Sequence, residues 1–126
     1  MSKKTVLITG ATRGIGKAIL EAFNKDYLII GTGTSEESLS SITENLKSLK
    51  IEGKAFKLDL NNRQSIKALS LSLDKEEIYP DILINNAGIT RDNIMLRMQE
   101  DEWDDVINIH LNGQYLLIIS FLKKMV

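Results

Sequence analysis

The chain has 126 residues and no cysteine, and its 16 lysines and arginines nearly balance 17 aspartates and glutamates, giving a net charge of −1. This length suits one domain with a modest core. The balanced charge argues against a polyanionic partner, so we expect neither nucleic-acid binding nor attachment to a membrane. Without cysteine there are no disulfides, thiolate metal sites or cysteine nucleophiles, which indicates a reducing compartment, by default the cytoplasm.

Two apolar runs are too short to serve as membrane signals. The first follows Lys3 and Lys4 but is interrupted at Gly10, far short of the core of a signal peptide. The second, residues 115–122, is less than half of the ~20 residues that a membrane span needs. We therefore predict neither a signal peptide nor a membrane span.

Strand and helix patterns alternate along the chain. Short apolar or β-branched runs predict strands at residues 5–9, 27–30, 55–58 and 82–84. Apolar residues at helical spacing predict helices after each strand, the last running from about residue 100 to the end. This alternation predicts an α/β fold in which a doubly wound parallel sheet has the strand order 3-2-1-4 and helices cover both faces.

Several details of these elements can be predicted. Thr34 with Glu37, and Asn61 with Gln64, have the spacing of capping boxes at the starts of the second and third helices. The fourth strand, which follows Pro80, has the composition of a strand buried on both faces. The apolar positions expected to anchor the first and last helices are Ile15, Ile19, Leu20 and Phe23, and Trp103, Val106, Ile107, Leu117, Ile118 and Phe121.

A glycine-rich turn joins the first strand to the first helix. Gly10, Gly14 and Gly16 follow the pattern G-x-x-x-G-x-G, which is neither the common dinucleotide fingerprint nor a P-loop. Alone, such a turn could be purely structural. Its place after the first strand of a βαβ unit favours binding of a pyrophosphate at the helix N-terminus.

The end of the second strand bears on the choice of cofactor. NAD-binding units usually place a carboxylate there for the ribose 2′-hydroxyl, but this sequence has Thr32, Gly33 and Thr34. Glu36 and Glu37 follow, where they suit the first turn of a helix. The nearby Arg13 could bind a 2′-phosphate, which is favoured over the alternative of a solvated surface arginine. These features favour NADP over NAD.

Further segments resemble a known family. Residues 9–16, Asp59-Leu60, the sequence Asn85-Asn86-Ala87-Gly88 and residues 89–98 are similar to the short-chain dehydrogenase/reductase family. The stretch 85–103 is most similar to its bacterial 3-oxoacyl-[acyl-carrier-protein] reductases. The resemblance covers essentially all 126 residues, as the amino-terminal half of a Rossmann domain. It implies NADPH-dependent reduction of 3-oxoacyl thioesters on acyl carrier protein in fatty-acid biosynthesis, by a homo-oligomer.

The resemblance also implies roles for individual residues. The turn would wrap the pyrophosphate, Thr12 and Arg13 would lie near the adenosine phosphates, and Thr34 would meet the 2′-phosphate. Asp59 and Leu60 would border the adenine, although Asp59 could instead be a helix cap or a solvated turn residue. Asn86, Ala87 and Gly88 would pass the ribose and nicotinamide, with a plain turn as the alternative for Asn86. The implied cofactor-binding set is Gly10, Ala11, Thr12, Arg13, Gly14, Ile15, Gly16, Thr34, Asp59, Leu60, Asn86, Ala87 and Gly88.

Two departures limit what can be carried over. The family's chemistry uses a serine and a tyrosine followed four residues later by lysine, and the sequence contains no such set. His110 stands where the family has an asparagine, and without a nucleophile or metal partner a helix-surface or core-edge histidine is favoured over a catalytic base. The alternatives are therefore a non-catalytic nucleotide-binding module, a remnant, or a truncated product of a longer reading frame. We expect no ketoreductase turnover by these 126 residues alone, and an unpaired edge at the fourth strand.

Overall fold

The computed structural model describes residues 3–88 and 97–125. Within them, strands and helices alternate from the amino terminus, and a π-helical segment separates the last two helices. In chain order the elements are β1 (Lys4–Ile8), α1 (Gly14–Ala22), β2 (Tyr27–Gly33), α2 (Glu36–Leu49), β3 (Gly53–Lys57), α3 (Arg63–Lys75), β4 (Ile82–Ile84), α4 (Glu100–Ile107), the π segment (Asn108–Gly113) and α5 (Gln114–Met125).

The four strands form one parallel sheet in the order β3-β2-β1-β4, which confirms the predicted fold class. Successive residues of β1 point to opposite faces: Val6 and Ile8 pack under α1 and α2, while Leu7 packs under α3 and α5. All three are completely buried. Because burial of each such side chain contributes about 1.5–3 kcal/mol, this alternation holds helices on both faces of the sheet.

The second strand extends three residues beyond the prediction. Gly31, Thr32 and Gly33 continue the pairing with β3, although they interrupt the apolar run. A side chain at Gly33 would come within 2.5 Å of the Cβ of Ser38, so the glycine allows α2 to lie close to the strand end. The polar end of β2 thus belongs to the sheet, and Thr34 follows it at the carboxyl end of the strands.

Both capping-box predictions are wrong by one residue. Ser35 caps α2, its hydroxyl accepting from the backbone N–H of Ser38 at 3.2 Å. Asn62 caps α3 and accepts from the N–H groups of Gln64 and Ser65. In each case the residue three positions after the true cap is a serine, so no glutamate or glutamine can complete the box.

The predicted single last helix is interrupted by the π segment. Leu117 and Phe121 are buried as expected, whereas Trp103 and Ile118 are 54% and 37% exposed and do not anchor the helix. A π-helical turn contains more residues than an α-helical one, so the apolar face beyond it is rotated relative to a straight helix. Ile15, expected to anchor α1, is likewise 73% exposed.

The fourth strand is an edge strand in the described part of the chain. It pairs with β1 alone, and its residues are half-buried, so the prediction of burial on both faces is wrong. Leu83 packs against the apolar cluster on one face and Ile82 and Ile84 against the cluster on the other, but no further strand lies beside β4 among the described residues. Across residues 3–88 and 97–125, no helix combines the length and apolarity required to span a membrane.

Candidate functional site

An open cleft lies at the carboxyl ends of β1, β2 and β4, where doubly wound folds bind ligands. Its volume is about 570 Å³. The residues that line it come from the glycine-rich turn, the start of α2 and the segment after β4: Gly10, Thr12, Arg13, Gly33, Thr34, Ser35, Glu37, Ser38, Ser41, Asn86, Ala87 and Gly88. Seven residues of the predicted cofactor set are among them: Gly10, Thr12, Arg13, Thr34, Asn86, Ala87 and Gly88.

The glycines of the turn meet different requirements. Gly10 and Gly14 have φ of +66° and +60°, in the left-handed region that glycine tolerates. A Cβ at Gly16 would collide with the carbonyl oxygen of Gly10 and with the side-chain amide of Asn86. Gly14 has open space around it, so only its backbone conformation demands glycine. The sequence of this turn therefore brings α1 against its own strand end and leaves a concave backbone surface.

Hydrogen bonds join the strand ends behind the cleft. The buried hydroxyl of Thr9 accepts from the backbone N–H groups of Asn86 and Ala87 at 3.0 and 2.9 Å. The Thr32 hydroxyl accepts from the N–H of Gly10 at 3.1 Å. Sequence reasoning did not predict these two threonines as site residues. The available signal was a buried, polar, β-branched residue at the carboxyl end of each strand.

The wall formed by α2 carries polar and charged groups. Thr34 lies there with Ser35, Ser38 and Ser41, none of the serines having been predicted. Glu37 occupies the first turn of α2 as expected, but it also lines the cleft. A carboxylate and the Arg13 guanidinium therefore both border the place where a 2′-substituent is expected.

Four predicted residues differ from the rest in their exposure or contacts. Asp59 is exposed, and its carboxylate accepts a hydrogen bond from the N–H of Asn61 at 2.9 Å. This contact corresponds to the alternative interpretation of Asp59 as a solvated turn residue. Leu60 and Ala11 are 6% and 1% exposed, so their side chains belong to the core. None of the three lines the cleft, and neither does the exposed Ile15. A role for Asp59 and Leu60 at the adenine stays a prediction.

The histidine lies beside the segment that follows β4. His110 is an exposed residue of the π segment, and its imidazole packs so closely on Gly88 that a Cβ at Gly88 would collide with the ring. Gln114, the first residue of α5, donates from Nε2 to the carbonyl oxygen of Ala87 at 2.9 Å. Residues 89–96, which carry part of the family resemblance, lie outside the described residues.

None of the tyrosines lines the cleft. Tyr27 packs edge-on against Phe23, with ring centroids 5.1 Å apart. Tyr79 precedes β4, at the amino end of the strand, and the Nζ of Lys124 lies 4.1 Å from its ring centroid. Tyr115 is 62% exposed on α5. The described residues also contain no cluster of metal-ligating side chains.

Comparisons with known proteins agree with this architecture. The family model described as short chain dehydrogenase matches residues 4–126. The 3-oxoacyl-[acyl-carrier-protein] reductase FabG of Pseudomonas aeruginosa is 43% identical over 123 residues, covering 97% of this chain and 50% of that protein. The Escherichia coli protein of the same name is 38% identical over 123 residues, covering 97% and 49%.

A solved structure, that of L-sorbose reductase from Gluconobacter frateurii complexed with NADPH and L-sorbose, superimposes with a TM-score of 0.88. It is 23% identical in sequence, and the match covers 98% of this chain and 48% of that one. At this identity the likeness shows the fold alone. The chain spans about half the length of the curated relatives it matches.

Proposed function

The chain belongs to the short-chain dehydrogenase family, and we propose that its cleft binds NADP(H) as the cofactor-binding half of a 3-oxoacyl-[acyl-carrier-protein] reductase. The observation that carries the proposal is the concave turn from Gly10 to Gly16. It is pressed against Asn86 so closely that a side chain at Gly16 would fill the contact. A pyrophosphate needs such a close approach to the backbone.

The residues present fit a dinucleotide phosphate. Arg13 is the residue before α1, and its side chain makes no capping hydrogen bond, so the first N–H groups of the helix are not capped by it. The positive end of the helix dipole and these N–H groups attract an anion. When bound, NADPH supplies a hydride. The chain's own residues would bind and orient the NADPH molecule.

Support for NADP over NAD comes from the α2 wall. Arg13 and Thr34 both line the cleft, and the end of β2 carries no carboxylate. Glu37 is the opposing feature, because its negative charge disfavours a 2′-phosphate. We propose that NADP(H) is preferred, by a margin that the carboxylate of Glu37 reduces.

The substrate is proposed from the relatives. Their names specify reduction of a 3-oxoacyl group carried by acyl carrier protein, and we propose the same substrate class, and fatty-acid biosynthesis, for the protein to which this chain corresponds. The alternative is nucleotide binding without catalysis. It is favoured by His110, which stands where the family has an asparagine.

Calorimetry on the 126-residue chain tests the proposed cofactor. We expect NADPH to bind more tightly than NADH, and Arg13→Ala to weaken NADPH about ten- to a hundredfold by removing a charge-assisted contact. Binding of NADH should change little. Equal affinities in the wild-type chain, or an unchanged preference in Arg13→Ala, would contradict the 2′-phosphate assignment.

A turnover assay separates reduction from binding alone. With NADPH and a 3-oxoacyl thioester, we expect the purified 126-residue chain to bind the nucleotide without oxidising it, because none of its three tyrosines lines the cleft to protonate the carbonyl oxygen. A positioned general acid alone typically raises the reaction rate about 10²–10⁴-fold. Turnover at ~1 s⁻¹ or faster would show that this chain holds an acid we have not assigned.

A further inference from the structure

The side chain of Gln114 connects the last helix to the floor of the cleft. Its Nε2 donates to the carbonyl oxygen of Ala87 at 2.9 Å, across 27 positions of sequence. Ala87 lines the cleft, whereas Gln114 itself does not. Gln114 can therefore affect a bound ligand only through the backbone that it holds.

The oxygen of the same side-chain amide, Oε1, is buried and makes no hydrogen bond with the described residues. A buried acceptor left unsatisfied costs at least as much free energy as one made hydrogen bond returns. Folding stability thus gives little reason for glutamine here, and an apolar residue of the same shape would remove the cost.

The Ala87–Gly88 peptide is held from several directions. The N–H of Ala87 donates to the Thr9 hydroxyl at 2.9 Å, while its carbonyl accepts from Gln114. The His110 ring lies against Gly88. The Thr9 hydroxyl holds the N–H of Ala87, which belongs to the preceding peptide, so the bond from Gln114 is the side-chain hydrogen bond that holds the carbonyl of the Ala87–Gly88 peptide itself.

We propose that Gln114 is a positioning residue for the dinucleotide: it fixes the Ala87–Gly88 peptide and so shapes the β4 side of the cleft. This inference rests on the proposed function, because it requires a dinucleotide that extends from the α2 wall to the β4 side. The half of the ligand at the α2 wall does not depend on Gln114. Loss of this hydrogen bond should therefore weaken binding of the whole dinucleotide but not binding of a ligand that contains only its adenosine half.

The test compares NADP⁺ with adenosine 2′,5′-bisphosphate by calorimetry, together with thermal unfolding. Gln114→Met keeps the length of the side chain and removes both polar atoms. We expect this variant to bind NADP⁺ about two- to tenfold more weakly and to bind the bisphosphate with unchanged affinity. Its melting temperature should be equal to that of the wild-type chain or higher. The control is Ser120→Ala, which removes a side-chain hydrogen bond to the Leu116 carbonyl on the same helix, away from the cleft.

Gln114→Glu adds a readout that a packing role would not affect. An ionised carboxylate cannot donate to the Ala87 carbonyl, but a protonated one can, and burial raises the pKa of a carboxyl group. Relative to the wild-type chain, NADP⁺ binding by this variant should strengthen as the pH is lowered from 8 towards 5.5. Gln114→Met should show no such relative change.

The outcomes separate the two proposals. A wild-type chain that binds neither ligand contradicts the proposed function. If the wild-type chain binds both, then equal NADP⁺ affinity in Gln114→Met, or a parallel loss of both ligands with a lower melting temperature, overturns the positioning role alone.

Discussion

The side-chain amide of Asn86 donates to the carbonyl oxygen of Gly10 at 3.1 Å, which joins two segments that lie 76 residues apart in the sequence. The glycine-rich turn follows β1 and Asn86 follows β4, and these two strands are neighbours in the sheet. The two motifs that most resemble the family are therefore two walls of one cleft. Their geometry is set by hydrogen bonds within the protein.

The hydroxyl of Thr9 should be a main support of this arrangement. Thr9→Val keeps the side-chain shape but leaves the N–H groups of Asn86 and Ala87 without their acceptor. We expect a loss of about 2–4 kcal/mol in the free energy of unfolding in urea. Thr43→Val is the control, because that hydroxyl bonds only to Leu39 in its own helix, and it should cost less than about 1 kcal/mol. Equal losses in the two variants would show that Thr9 does not join the strands.

Two glycines of the turn should respond differently to alanine. Gly14→Ala places a side chain in open space but keeps φ positive, which costs about 1–2 kcal/mol. Gly16→Ala must displace the backbone of Gly10, so its cost should exceed the ~1–3 kcal/mol typical of overpacking. Denaturant unfolding of both variants measures the difference. A smaller loss for Gly16→Ala would mean that α1 is not pressed against the turn.

The carboxylate of Glu37 should reduce the preference for NADP(H). Glu37→Gln removes a negative charge from the cleft wall. We expect NADPH to bind about two- to fivefold more tightly with NADH binding little changed, since interactions between exposed charges are worth about 0.2–1 kcal/mol. Glu36→Gln is a matched control, as the adjacent residue does not line the cleft. If the two variants have the same effect, Glu37 does not act locally on the 2′-position.

The sequence predicted the fold class well because the strands are short, apolar and separated by helical patterns. Details that depend on neighbouring elements were less predictable. The predicted bounds of the second strand stopped at Ile30 because Gly31, Thr32 and Gly33 do not have the composition of a buried strand. The predicted caps are wrong by one residue because Ser35 and Asn62 are as suitable for capping as Thr34 and Asn61, and residue type alone does not distinguish them.

In the cleft, too, some residues could be predicted from the sequence and others could not. Its glycines were predictable from their spacing, since a close approach of backbone to ligand needs them. Thr9 and Gln114 were not, because their roles arise from contacts across 77 or 78 and 27 residues of sequence. No local pattern distinguishes such residues from ordinary strand or helix positions.

An ion pair ties the end of the last helix to α3 and should make its attachment depend on pH. A hydrogen bond from Lys124 lowers the pKa of Asp74, and the same contact raises the pKa of Lys124. The stabilisation from Asp74 is present above its unfolded pKa of about 4 and is lost as the pH falls through its lower folded pKa. That from Lys124 is present below its unfolded pKa of about 10 and is lost as the pH rises through its higher folded pKa. Carboxyl NMR titration should find a higher Asp74 pKa in Lys124→Gln, but not in Lys123→Gln. An unchanged Asp74 pKa in Lys124→Gln would contradict the pairing.

The edge strand β4 should be less protected than the central strand β1 in the 126-residue chain. Ile82, Leu83 and Ile84 pair with β1 on one side only and are half-buried, and an apolar edge of this kind can pair with another chain. We expect the amide hydrogens of residues 82–84 to exchange faster than those of β1, and size-exclusion chromatography to show self-association. A monomer in which both strands are equally protected would contradict this expectation.

In the proposed nucleotide site, the glycine-rich turn and the segment after β4 bind the same ligand. Backbone NMR of the isotope-labelled 126-residue chain, titrated with NADPH, shows whether they do. We expect the amide signals of residues 10–16 and 86–88 to shift together and to saturate at the same ligand concentration, while those of α3 do not move. Shifts confined to another surface, such as the groove lined by Met98 and Trp103, or no saturable shifts at all, would contradict it.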